Sequence, residues 1–140
     1  MLKLLLRRWG VIPKFSVHVE KPTSFPYYLL RLEALAVLLV SLWVYFFVMK
    51  SSWLLFLLLV VTPDLSLLTY AFGLQIGGIM YDLFHIYFTP SVLIVLGLVL
   101  DARLLIDIGL IWVVHIAQDR MRGFGLKYLD RYGGSHLHKL

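Results

Sequence analysis

Cysteine is absent from the 140 residues, which excludes disulfides and thiolate metal sites and removes any cue to redox compartment. Charge is scarce as well, with Asp, Glu, Lys and Arg making up 15% of the chain. Against 61% hydrophobic residues and a mean hydropathy of +0.87, that is too little polar surface to cover a water-soluble globule. Strict alternation is missing too: the run Leu-Leu-Phe-Leu-Leu-Leu-Val-Val at 54–61 is continuous, so the apolar stretches read as helices and not as barrel strands. There is no internal repeat of the kind that builds many transporters, which makes a small ion carrier the least favoured reading.

The stretches present are long. A helical crossing takes about 20 mostly apolar residues, and such stretches fall at 27–49, 51–72, 76–100 and 103–121. They predict an all-α, integral membrane four-helix bundle over 27–122, preceded by a basic N-terminal extension at 1–26 and followed by a C-terminal tail at 123–140. In the extension, Leu2, Leu5, Leu6 and Trp9 share one helical face, as an interfacial segment requires, and the apolar run is too short for a secretory signal.

Basic residues set the orientation. Lys3, Arg7, Arg8, Lys14, Lys21 and Arg31 precede or open the first stretch, and Arg120, Arg122, Lys127, Arg131 and Lys139 close or follow the fourth. The opposite side has only Lys50 and Arg103. The positive-inside rule then predicts a multi-pass protein of the cytoplasmic membrane with both termini in the cytoplasm. The net charge of +5 becomes a topology signal with attraction to anionic lipid headgroups, and nucleic acid is not an expected partner. The oligomeric state is not legible.

Each stretch also carries an acidic residue, a histidine or both: Glu33, Asp64, Asp82 with His85, and His115 with Asp119. An ionised side chain in hydrocarbon is costly enough that its default place is the bundle interior, paired or functional. With alternating crossings and about 1.5 Å of rise per residue, all six fall in a slab roughly 10 Å thick below the cytoplasmic surface. Gly78, Asp82, His85 and Thr89 follow helical spacing along one stripe, and His115 and Asp119 are i, i+4 neighbours. The set resembles in composition the ligands of carboxylate-bridged di-iron bundles, although His115-x-x-x-Asp119 reverses their order. Nitrogen and oxygen donors of this kind suit a divalent zinc, iron or manganese ion. A purely structural polar network, with Asp119 paired to Arg120 or Arg122, is the alternative.

Punctuation falls in the same region. Thr62-Pro63-Asp64 predicts a kink or restart in the second helix, with Thr62 as its cap, because proline lacks a donor and frees a carbonyl one turn back. Pro90 predicts a second kink. Elsewhere, Asp101 is expected to cap the fourth helix, Arg103 and Asp107 to form an exposed pair, and Arg31 to reach headgroups. In the tail, Gly123 is a natural helix stop and Gly133-Gly134 would let His136 and His138 fold back on the bundle.

Arg31-Leu-Glu33, Pro63-Asp-Leu-Ser66, His85 before Tyr87, His115-x-x-x-Asp119-Arg120, Gly123-Phe-Gly-Leu-Lys127-Tyr128 and Ser135-His136-Leu137 together resemble the small bacterial four-helix membrane proteins of domain-of-unknown-function family 4260. The resemblance covers about residues 27–138. That family's pattern has Asn at the position of Asp82 and Gly at that of His138, so the resemblance implies Glu33, Asp64, His85, His115, Asp119 and His136 as the ligand set. It implies a fold and a compartment but no activity. Taken together, the residues point to a metal-dependent membrane enzyme, hydrolytic or oxidative, acting on a lipid or other apolar substrate, or else to a non-catalytic membrane protein with a buried polar network.

Overall fold

The computed structural model describes residues 25–125. Over them the chain is all-helical: α1 (Phe25–Trp43) running into a π-helical turn (Val44–Val48), α2 (Trp53–Leu59), a 3₁₀ segment (Thr62–Phe72), α3 (Leu74–Phe84), α4 (Phe88–Val99) and α5 (Arg103–Arg122). Two spans, Phe25–Val48 and Trp53–Phe72, are long and apolar enough to cross a membrane. Helices α3 and α4 make a third if the pair, bent by 44°, counts as one crossing. These spans have the length and apolarity that a membrane crossing takes.

The last helix is the least apolar and the most enclosed. Charges at Arg103, Asp107, Asp119, Arg120 and Arg122 leave 108–118 as the longest run without one, yet α5 buries Asp107, Gly109, Leu110, Ile111, Val114, His115, Ile116 and Ala117. It does so by packing against both α1 and α4, with α3 against the 3₁₀ segment. Glycine makes the α4–α5 contact close. A Cβ on Gly109 would lie 2.6 Å from Ile94 Cγ1, and one on Gly97 would lie 2.9 Å from the backbone nitrogen of Ile106. The polar groups of α5 are thus screened from lipid by its neighbours, while the outer faces of α1, α2 and α4 expose Leu, Val, Phe and Trp side chains as a lipid-facing surface does.

Both ends of α5 are tied down. At its C-terminus Gly123 adopts a left-handed φ of 93°, the Gly123 and Phe124 amides bond the Arg120 and Asp119 carbonyls, and Arg31 Nε donates to the Met121 carbonyl at 2.6 Å. This is a Schellman closure with one further orphan carbonyl satisfied from α1. Arg31 thus serves the helix end, not a headgroup. At the N-terminus Ser51 Oγ donates to Asp107 Oδ1 at 2.6 Å, Arg103 Nε lies 3.8 Å from Asp107 Oδ2, and the Arg103 guanidinium donates to the Met49 carbonyl.

Three local expectations are corrected here. Asp107 is buried, with Ser51 as its close partner, so its pairing with Arg103 is not an exposed one. Asp101 does not cap α5: it turns the chain at φ 50°, Ala102 is the cap without a side-chain bond, and the Ala102 amide closes back on the Gly97 carbonyl. The bend between α3 and α4 falls at 85–87, not at Pro90, which occupies the first turn of α4 where no amide donor is required.

Candidate metal centre

Two interruptions of helical hydrogen bonding build the site. Pro63 has no N–H, so neither the Leu59 nor the Val60 carbonyl can receive one from it, and the Asp64 amide turns to the Val61 carbonyl as the chain tightens into 3₁₀ geometry. Side chains take both freed carbonyls. Thr62 Oγ1 donates to Leu59 O at 2.7 Å, and His115 Nδ1 donates to Val60 O at 2.7 Å. The hydroxyl of Thr62 thus bonds backwards and does not cap the new segment, whose cap is Val61. In α3 the same thing happens one helix on: the His85 amide bonds Asp82 O, leaving Tyr81 O for the ring of His85 itself, whose Nδ1 donates at 2.8 Å. Tyr81 also stacks on that ring, with centroids 3.8 Å apart and planes 12° from parallel.

Because a carbonyl can only accept, both imidazoles must carry a proton on Nδ1, and in the neutral ring Nε2 is then a bare lone pair. The two Nε2 atoms face each other at 3.3 Å. Around them sit two carboxylates: Asp64 Oδ1 at 3.6 Å from His85 Nε2 and 3.5 Å from His115 Nε2, and Asp119 Oδ2 at 3.7 and 3.6 Å. No pair of these four atoms is more than 4.8 Å apart.

Four acceptors pointing at one centre repel unless a cation lies between them. Nitrogen–oxygen separations of 3.5–3.7 Å are also too long for charge-assisted hydrogen bonds, which close to about 2.7–2.9 Å. They match a coordination shell instead. A regular tetrahedron with metal–ligand bonds of about 2.05 Å has edges of about 3.3–3.4 Å, and five of the six edges here measure 3.3–3.7 Å. The carbonyls of Tyr81 and Val60 supply the outer contacts that set tautomer and ring orientation in metal-ligating histidines.

Burial divides the four. The side chains of His85, His115 and Asp119 are 4%, 6% and 18% exposed, whereas Asp64 is 50% exposed. One of the four therefore faces outward and three are held within.

Of the residues picked out in the sequence, the structure brings together Asp64, His85, His115 and Asp119. Glu33 is placed elsewhere: α1 turns Ala34 and Ser41 inward, and Glu33, about 100° around the helix from Ala34, is exposed. Asp82 is half-buried and outside the group. Thr89 leaves the Gly78–Asp82–His85 stripe at the bend, its hydroxyl bonding Leu83 O. His136 and His138 lie outside the described residues. The sequence reading missed Tyr81, whose i−4 spacing from His85 was the available signal, and the Val60 carbonyl, which Pro63 already implied.

Fold and site define an all-helical protein with helices long and apolar enough to span a membrane and a two-histidine, two-aspartate cluster, three of its members enclosed, that could hold a metal ion. The family described as "Domain of unknown function (DUF4260)" matches residues 27–140, and the chain belongs to it. Among curated proteins and solved structures, none matches the chain.

Proposed function

We propose that the chain is a membrane metalloenzyme that holds one divalent ion, zinc for preference, between Asp64, His85, His115 and Asp119 and hydrolyses an amphiphilic substrate there. The observation that carries this reading is the pair of Nε2 lone pairs, each fixed by an Nδ1–carbonyl bond and converging with two carboxylates at tetrahedral spacing. With Glu33 outside the group, too few carboxylates remain for a dinuclear carboxylate-bridged centre, and the donors present hold a single ion. Three enclosed ligands and one outward carboxylate fit a site with an exchangeable position. His85, His115 and Asp119 would hold the ion throughout, while Asp64, the outward fourth ligand, could yield its position to a water whose acidity the ion raises.

The same reading extends to topology. Four crossings with both termini in the cytoplasm account for the basic residues at both ends of the chain, and the enclosure of α5 by α1 and α4 is what would let so polar a helix cross. Access to the site would then be from the cytoplasmic side of the cytoplasmic membrane.

The test is metal analysis of the full chain purified in detergent without chelators. Roughly stoichiometric zinc, iron or manganese in the wild type, lost in His85→Ala with the protein still folded, is the expected result. A metal-free wild type whose melting temperature falls in His85→Ala would return the cluster to a structural role, in which the imidazoles serve only to tie the broken helix ends to α5.

A further inference from the structure

Beside the cluster lies a small recess of about 10 Å³, lined by Tyr81, His85, Ile116, Asp119, Arg120 and Phe124. That is room for one water-sized atom. Two of its walls are the ligands His85 and Asp119, and a third is a cation. Arg120 does not turn toward the carboxylate beside it in sequence; its guanidinium carbon sits 5.2 Å above the Tyr87 ring centroid. Its Nε is buried with no hydrogen-bond partner among the described residues, and so is the Tyr87 hydroxyl. Buried donors of this kind are nearly always satisfied, and a charged one left open is the more costly.

Charge identifies what would satisfy it. Two aspartates balance a divalent ion and neutral imidazoles add nothing; Asp82, close enough to act on Tyr81, offsets Arg122, which acts on Asp119, and Arg120 leaves the region at +1. An anion is wanted. A phosphate monoester carries about −1.5 to −2 at neutral pH and can present one oxygen to the recess and others to a guanidinium fork.

Resting on the metal reading above, we propose that Arg120 and the bound ion form a two-point clamp for a phosphate group, one oxygen of which enters the recess between Arg120, His85 and Asp119. Whether the phosphate is free or borne on a lipid, the chemistry recognised is the same. Arg120 is the anchoring residue for the anion and Tyr87 the ring that holds its guanidinium in place.

The experiment uses zinc-loaded full-length protein in phosphatidylcholine nanodiscs, with affinities measured for inorganic phosphate, phosphatidic acid and laurate, and zinc content read on every sample. Phosphate or phosphatidic acid should bind the wild type, Arg120→Gln should weaken that binding about tenfold or more, and Arg120→Lys should recover part of it. Binding of phosphatidic acid without inorganic phosphate assigns a lipid headgroup, and binding of both assigns the phosphate itself. Zinc retained in Arg120→Gln with phosphate affinity unchanged overturns the clamp and leaves the metal reading standing. Zinc absent from the wild type overturns both. Laurate bound as tightly as phosphatidic acid overturns the phosphate assignment, as does phosphate affinity undiminished in zinc-free His115→Ala. Circular dichroism of each variant separates these outcomes from misfolding, and Arg120→Lys carries the test should Arg120→Gln fail to fold.

Discussion

Replacing His115 by alanine separates a metal site from a structural knot because the two readings predict different dependence on metal. The side chain is 6% exposed, bonds Val60 O at 2.7 Å and lies 3.3 Å from His85 Nε2. Its loss leaves the Val60 carbonyl unsatisfied, at about 1–3 kcal/mol, whichever reading holds. The metal term comes on top. An ion supplied at about 100 times its dissociation constant stabilises the folded state by about 2.7 kcal/mol, and a site missing one of four ligands, including the imidazole that faces its partner, forfeits that gain. Thermal unfolding in detergent, run with zinc and with a chelator, reads both terms. Wild type should melt higher with zinc than with chelator, and His115→Ala should melt at one temperature in either condition, close to or below that of chelated wild type. Two results would sink the reasoning: a wild type indifferent to zinc, or a His115→Ala variant that still gains stability from it to the wild-type extent.

Three further outcomes follow from the same geometry. Pro63→Ala restores an amide that competes for the carbonyls now bonded by Thr62 and His115, so the His115 ring loses its fixed orientation; a chelator-competition titration should show metal affinity about 10–100-fold weaker. Asp107→Ala, at the opposite end of α5, strands the Ser51 hydroxyl and removes an acceptor from Arg103, and should cost about 1–3 kcal/mol in unfolding experiments while leaving metal content unchanged. Reporter fusions at Met1 and Leu140 should both signal from the cytoplasm, and a periplasmic signal from either would break the four-crossing topology.

The sequence by itself determined class and depth. Composition alone pointed to a membrane, because so little polar surface cannot cover so much that is apolar. Counting rises along alternating crossings put Asp64, His85, His115 and Asp119 at one expected level before any coordinates, and those four do converge. Pro63 likewise announced a freed carbonyl. Which side chain would take that carbonyl was not legible, since His115 is 55 residues distant in the chain. Azimuth was beyond reach for the same reason. Glu33 was expected at the same level but faces outward, because the rotation of α1 is chosen by how Ala34 and Ser41 pack against its neighbours. The bend between α3 and α4 follows His85 and not Pro90, since a proline in a first turn breaks nothing while the His85 ring takes the Tyr81 carbonyl that the His85 amide would bond in a continued α-helix. Arg31 and Asp107 read as surface charges until tertiary contacts brought Met121 and Ser51 to them. Rise per residue is a local property of the backbone; the face a helix turns inward, and the partners its polar groups meet there, are settled only when all the helices pack at once.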